Sequence, residues 1–188
     1  MWKQNVLRSA AVALSMVAVF GYAADKADKS GGQLSKDDRN FIMDAAQGGM
    51  KEVEMGKLAQ QKGQSDGVKQ FGKRLEDDHS KANEQLKGIA QKAGVDVPAS
   101  LDKKHQGMVD KMSKVKADNF DRTFAKDMVS DHEKDIKEFR KEADKGKNPD
   151  LKQFASQTVP VLEEHLKMAR DLSGSSKGAG KGGSKGTK

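Results

Sequence analysis

Apolar residues recur at intervals of three and four along most of this chain, and that recurrence predicts four long helices. The first spans about 36–62. Ser35 and Asp38 form a capping box ahead of it, Gly63 ends it, and its inward positions are Phe41, Ala45, Gly49, Val53, Gly56 and Ala59. The second spans about 67–93, capped by Asp66 and stopped by Gly94. Its stripe reads Val68, Phe71, Leu75, His79, Ala82, Leu86, Ile89. The third spans about 119–145, capped by Asp118, with Phe120, Phe124, Met128, His132, Ile136, Phe139 and Ala143 on one face. The fourth starts at the cap and first-turn pair Asn148-Pro149 and carries Leu151, Phe154, Ala155, Thr158, Leu162, His165, Ala169 and Leu172. Pro160 inside it predicts a kink. The connection between the second and third helices holds a short helix, about 101–115, and is too long for a hairpin turn, so a crossover is expected.

No run of alternating β-branched residues interrupts this pattern, and the fold class is all-α: a four-helix bundle with a long crossover. FGKRLEDDH in the second helix matches FAKDMVSDH in the third from phenylalanine to histidine, and VKQFG matches LKQFA in the fourth. These matches hint at a duplicated helical hairpin. Laying the first helix on the third from Phe41 and Phe120 sets Glu52 opposite Asp131.

The candidate chemistry lies on the stripes. An acid precedes a histidine three times, at Asp78-His79, Asp131-His132 and Glu164-His165, and each histidine faces inward on a different helix. A group able to carry charge is costly to bury alone. Three on converging helices point to a shared metal site, with neutral imidazole suited to zinc, iron, copper or manganese. The first helix offers Glu52 beside its small-residue face, with Glu54 pointing further away. Sequence neighbours diverge by about 100° around a helix, so Asp78, Asp131 and Glu164 are expected to reach sideways and orient a histidine on the next helix, or to replace one as ligand. The alternative is that each histidine is a hydrogen-bonded core residue. His105, in the lysine-rich connection, is read as a solvated surface residue.

Composition sets the surroundings. MWKQNVLRSAAVALSMVAVFGYA has a basic start, a short apolar stretch and small residues at 21 and 23, which together read as a secretory signal cleaved after Ala23. An uncleaved anchor is the alternative. Residues 24–34 are expected to be disordered, the bundle to span 35–172, and the Gly/Ser/Lys tail 173–188 to be disordered as well. The chain carries +7 in all, but the signal and tail hold most of it and residues 24–172 about +1. A nucleic-acid surface on the folded domain is therefore not expected. The tail is suited only to weak, salt-sensitive contact with anionic envelope polymers or lipid. There is no cysteine, hence no disulfide, lipidated cysteine or thiol nucleophile. No serine elbow or phosphate-binding glycine loop is present. The nine methionines are scattered at helical spacing, as core packing requires.

FIMDAAQGGMKEVEMGKLAQQKG, VKQFGKRLEDDHSKANEQL, FDRTFAKDMVSDH and LKQFASQTVPVLEEHLKMA together resemble the DUF4142 family. The resemblance covers about 34–172. It implies an exported bacterial protein with a ferritin-like bundle, and no established activity. Di-iron members of the ferritin-like class carry Glu-x-x-His on two helices. Here Glu76 and His79 match once, while Val129 and Leu162 stand at the corresponding positions before His132 and His165.

The expected function is non-catalytic binding of one transition metal through Glu52, His79, His132 and His165 in an exported periplasmic protein, with Glu76, Asp78, Asp131 and Glu164 in support. Outer-membrane association and secretion are the alternatives for location. A metal-free stress-protection or interaction module, with structural acid–histidine pairs, is the second reading, and a small oxidase or peroxide-handling enzyme the third. The protein partner and a homo-oligomer stay open.

Overall fold

The computed structural model describes residues 34–175. Residues 1–33 and 176–188, which hold the expected signal and most of the expected tail, lie outside the described residues. The described chain is all-helical: α1 (Lys36–Lys62), α2 (Asp66–Lys92), α3 (Lys103–Ser113), α4 (Ala117–Lys145) and α5 (Pro149–Ser175). None of these helices is long and apolar enough to cross a membrane.

The caps fix most boundaries. Ser35 Oγ accepts from the Asp38 amide while Asp38 accepts from the Ser35 amide, the reciprocal box expected for α1. Asp102 caps α3, and Asn148 Oδ1 accepts from the Leu151 amide, 3.1 Å, at the start of α5. Two expected caps shift. Ser65, not Asp66, caps α2, because its hydroxyl reaches the Val68 amide. Asp66 then lies in the first turn, where its charge complements the helix dipole. Likewise α4 begins at Ala117, so Asp118 is in the first turn and Lys116 holds the cap position without a side-chain bond. α2 ends at Ala93-Gly94, with Gly94 at φ 70° and the Val95 amide bonded back to the Ala90 carbonyl. α5 continues through Pro160.

α1 packs on α2 and α4 on α5, each pair joined by a short turn, and α2 also meets α5 while α1 meets α4. Asp38, at the start of α1, accepts from the Lys147 amide just after α4. Asp121, near the start of α4, accepts from the Gln64 and Ser65 amides just after α1. α1 and α4 are therefore antiparallel, and the connection from α2 to α4 must travel the length of the bundle, with α3 packed against α1.

Small residues set the α1–α2 separation. A Cβ added at Gly72 would lie 2.6 Å from both the Gly56 carbonyl oxygen and the Ala59 Cβ. The core is divided. One apolar cluster gathers Met55, Phe71, Leu75, Phe120, Phe124, Met128 and Ala169; the other gathers Phe41, Ile42, Leu86, Leu151 and Phe154, and takes in Leu34. Along the helices, Lys51, Glu52, His79, His132 and His165 fall between the two clusters, all buried.

Gly72→Ala should lower the free energy of unfolding by about 1–3 kcal/mol in urea titrations, because backbone must move. Gly88, also helical, has nothing within 4 Å of an added Cβ. Gly88→Ala should leave stability unchanged or raise it by up to about 1 kcal/mol.

Candidate metal centre

The inward stripes of α2, α4 and α5 deliver the three histidines to one point. Ring centroids stand 5.3 Å apart for His132–His165, 5.4 Å for His79–His165 and 5.9 Å for His79–His132. One ring nitrogen from each lies within 4.8 Å of the others. Phe71 forms an apolar floor against His132 and His165.

The outer hydrogen bonds decide which nitrogens face inward. His132 Nδ1 lies 2.9 Å from the Met128 carbonyl oxygen, which can only accept, so Nδ1 carries the proton and Nε2 a lone pair. His165 Nε2 lies 3.1 Å from Asp78 Oδ2. Burial pushes the Asp78 carboxyl up, but hydrogen bonds from Arg74 and His165 outweigh it and hold it below the usual range. An ionised Asp78 accepts, so His165 Nε2 donates and Nδ1 is left with a lone pair. His132 Nε2 and His165 Nδ1 then face each other at 3.3 Å. Two lone pairs repel at that distance unless a proton or a metal ion stands between them. A proton serves two nitrogens. The third imidazole favours a metal: His79 is buried, and its Nε2 has no hydrogen-bond partner. Two nitrogens bound to tetrahedral zinc at about 2.0–2.1 Å would themselves be about 3.3–3.4 Å apart.

Burial keeps His79 and His165 neutral. It pushes His165 down to about 4, helped by His132 and opposed by Asp78. Burial, then the neighbouring imidazoles and Lys51, push His79 well below its usual value. A neutral imidazole is the metal-binding form.

The expected carboxylates separate into different roles. Asp78 reaches across to His165, the sideways orientation that helix geometry suggests. Asp131 instead pairs with Lys51 at 2.5 Å. Glu164 is exposed and pairs with Arg74, which also holds Asp78. Glu76 accepts from Gln60 Nε2 at 2.7 Å. Glu52 is fully buried, but the nitrogens that converge are those of the three histidines. Lys51 Nζ stands 3.1 Å from Glu52 Oε1 without hydrogen-bond geometry, so the contact is a charge pair and both carboxylate oxygens lack a bonded donor. Glu54 pairs with Lys57 at the surface. His105 is not fully solvated: its side chain is 17% exposed, with Nδ1 2.9 Å from Asp102 Oδ1.

Sequence reasoning missed Lys51 and an acidic row on α4. Asp127, Asp131, Asp135, Glu138 and Glu142 follow one another at intervals of four, four, three and four. That is one helix face, and the spacing was the available signal. Burial and neighbouring acids raise Asp127 to about 6 and Asp135 to about 7. Lys51 answers part of this charge. Burial alone would lower it, yet Glu52 and Asp131 hold it above its usual value.

The family model described as "Domain of unknown function (DUF4142)" matches residues 23–172. Among solved structures, the chain is similar to the "DUF305 fragment from Deinococcus radiodurans", with a TM-score of 0.65 and 13% identity over 75% of this chain and 97% of that one. At that identity the likeness concerns the fold alone. No curated protein matches the chain.

Nitrogen-15 NMR of the metal-free chain should find the His165 proton on Nε2, with the ring neutral until the pH falls to about 4. The unfolded chain binds this proton near 6.5, so between 6.5 and about 4 the unfolded state holds more protons. The His165 contribution to stability is full above 6.5 and is lost on acidification, at a cost of about 3 kcal/mol. Asp127, Asp135 and Glu142, all raised, act with the opposite sign, so a site-resolved titration is the clean readout. A His165 titrating near 6.5 would contradict this environment.

Proposed function

The chain belongs to the DUF4142 family, and we propose that this member is an exported, ferritin-like helical bundle that binds one transition metal without catalysing a reaction. His79, His132 and His165 are the proposed nitrogen ligands, and Glu52 is the proposed source of a fourth, oxygen ligand. One observation carries the reading. The lone pairs of His132 Nε2 and His165 Nδ1 face each other at 3.3 Å, and the unpartnered His79 Nε2 completes the set. Asp78 and the Met128 carbonyl supply the outer hydrogen bonds that fix ring orientation around a metal.

Zinc, iron, copper and manganese all accept imidazole and carboxylate. The cavity that reaches His79 has about 30 Å³ of room, enough for an ion or a water but not for an organic substrate. That favours holding a metal over transforming a substrate. Export rests on the basic and apolar N-terminal pattern ending at Ala23. The second reading, a metal-free interaction or stress-protection module, is favoured by the His165–Asp78 bond alone. It leaves His79 Nε2 without a role.

Thermal melts test the assignment. Zinc at a hundredfold excess over its dissociation constant should raise the melting temperature by about 8 °C, and less as the pH falls and protons compete for the imidazoles. Alanine at His79, His132 or His165 should remove most of the gain, and His105→Ala should keep it. A wild type indifferent to zinc, copper, manganese and iron would establish the metal-free reading.

A further inference from the structure

The acidic row on α4 runs from the triad toward the end of the bundle where α1 begins and α4 finishes. Its outer members, Glu138 and Glu142, line a surface cleft of about 240 Å³ together with Asp37 and Asp44 of α1. Glu142 is 6% exposed, and its Oε1 has no hydrogen-bond partner. Burial, together with the neighbouring Asp38 carboxylate, holds it up near 7. Lys141 and Lys145 line the same cleft. Phe41, Asp44 and Glu138 also line the inner cavity, whose other polar walls are Asn83, Asp135, Thr158 and His79. Cleft and cavity therefore share walls, and the cavity ends at the histidine whose Nε2 is unpartnered. Glu142 lies ten residues along α4 from His132, or about 15 Å. On the other side, Arg74 pairs with both Asp78 and Glu164.

We propose that this cleft is a second, weaker cation site built of carboxylate oxygens, and that it captures a divalent metal ion and passes it along Asp44, Glu138 and Asp135 to His79. The inference rests on the metal reading of the triad. Oxygen ligands at the mouth exchange a hydrated divalent ion readily, whereas imidazoles hold it more tightly once it is dehydrated. A cleft lined mainly by one sign of charge, between low-dielectric walls, also concentrates cations and speeds association.

Stopped-flow binding of Co(II) to the full chain separates capture from affinity, because tetrahedral Co(II) absorbs in the visible. The double variant Asp44→Asn/Glu138→Gln removes two carboxylates common to the cleft and the cavity. Neither residue is fully buried, so folding should survive, and circular dichroism checks it. The association rate should fall about tenfold, while the Co(II)-induced rise in melting temperature at saturation stays. The charge control Glu54→Gln/Asp77→Asn, with side chains 44% and 47% exposed, should change the rate less than twofold. A rate within twofold of wild type in the cleft variant would overturn the route and leave the triad assignment standing, and so would an equal loss in the charge control. A wild type with no Co(II) spectrum would overturn the triad assignment, and the route with it.

Discussion

The cost of burying three imidazoles in the middle of a helical bundle organises this structure. Each ring is buried against solvent, and a polar group taken out of water must find partners or remain unfavourable. Two of the three find them. His132 is tied to its own helix through the Met128 carbonyl, and His165 to α2 through Asp78. Those bonds fix the tautomers, and the fixed tautomers turn the remaining lone pairs toward each other. What satisfies the outer nitrogens leaves the inner ones of His132 and His165 facing each other at 3.3 Å. His79, with no partner for Nε2, adds a third claim on the same point.

The same polar layer splits the apolar core into two clusters and places a charged group beside the imidazoles. Lys51 is buried with Glu52 and Asp131 at the α1–α4 contact. Burial and the neighbouring carboxylates raise Asp127 and Asp135, and the single Lys51 ammonium offsets only part of that shift. Lys51 in turn lowers the proton affinity of His79. Buried ion pairs are weak evidence for stability, since desolvation offsets much of their attraction. Their consequence here is a strongly polarised α1–α4 seam beside neutral imidazoles.

Much of this was legible in the sequence, for physical reasons. The 3.6-residue period placed His79, His132 and His165 on buried stripes, and the length of the 93–116 segment required a crossover. Ser35-Asp38 and Asn148-Pro149 marked two helix starts because their side chains bond locally. Adjacent capping candidates were harder to separate: Ser65 beside Asp66 differ by one residue, and hydroxyl geometry decided between them. The partners of the acids were not legible. Asp78 meets a histidine, yet Asp131 meets Lys51 and Glu164 meets Arg74, because those choices depend on which helix stands opposite and on the reach of long basic side chains. Glu52, expected at the margin of the small-residue face, is fully buried, and its neighbour Lys51 could not be foreseen from an apolar stripe. The α4 row was present in the spacing, but acids on one helix face ordinarily mark a solvated surface, and only the opposing Lys51 and Glu52 of α1 distinguish this one.

X-ray absorption at the zinc edge of the zinc-loaded full chain addresses the central claim most directly. Three imidazoles holding one ion predict a first shell of nitrogen and oxygen at about 2.0–2.1 Å, with outer-shell scattering that requires three imidazole rings. A shell that needs one ring or none would contradict a shared site for His79, His132 and His165.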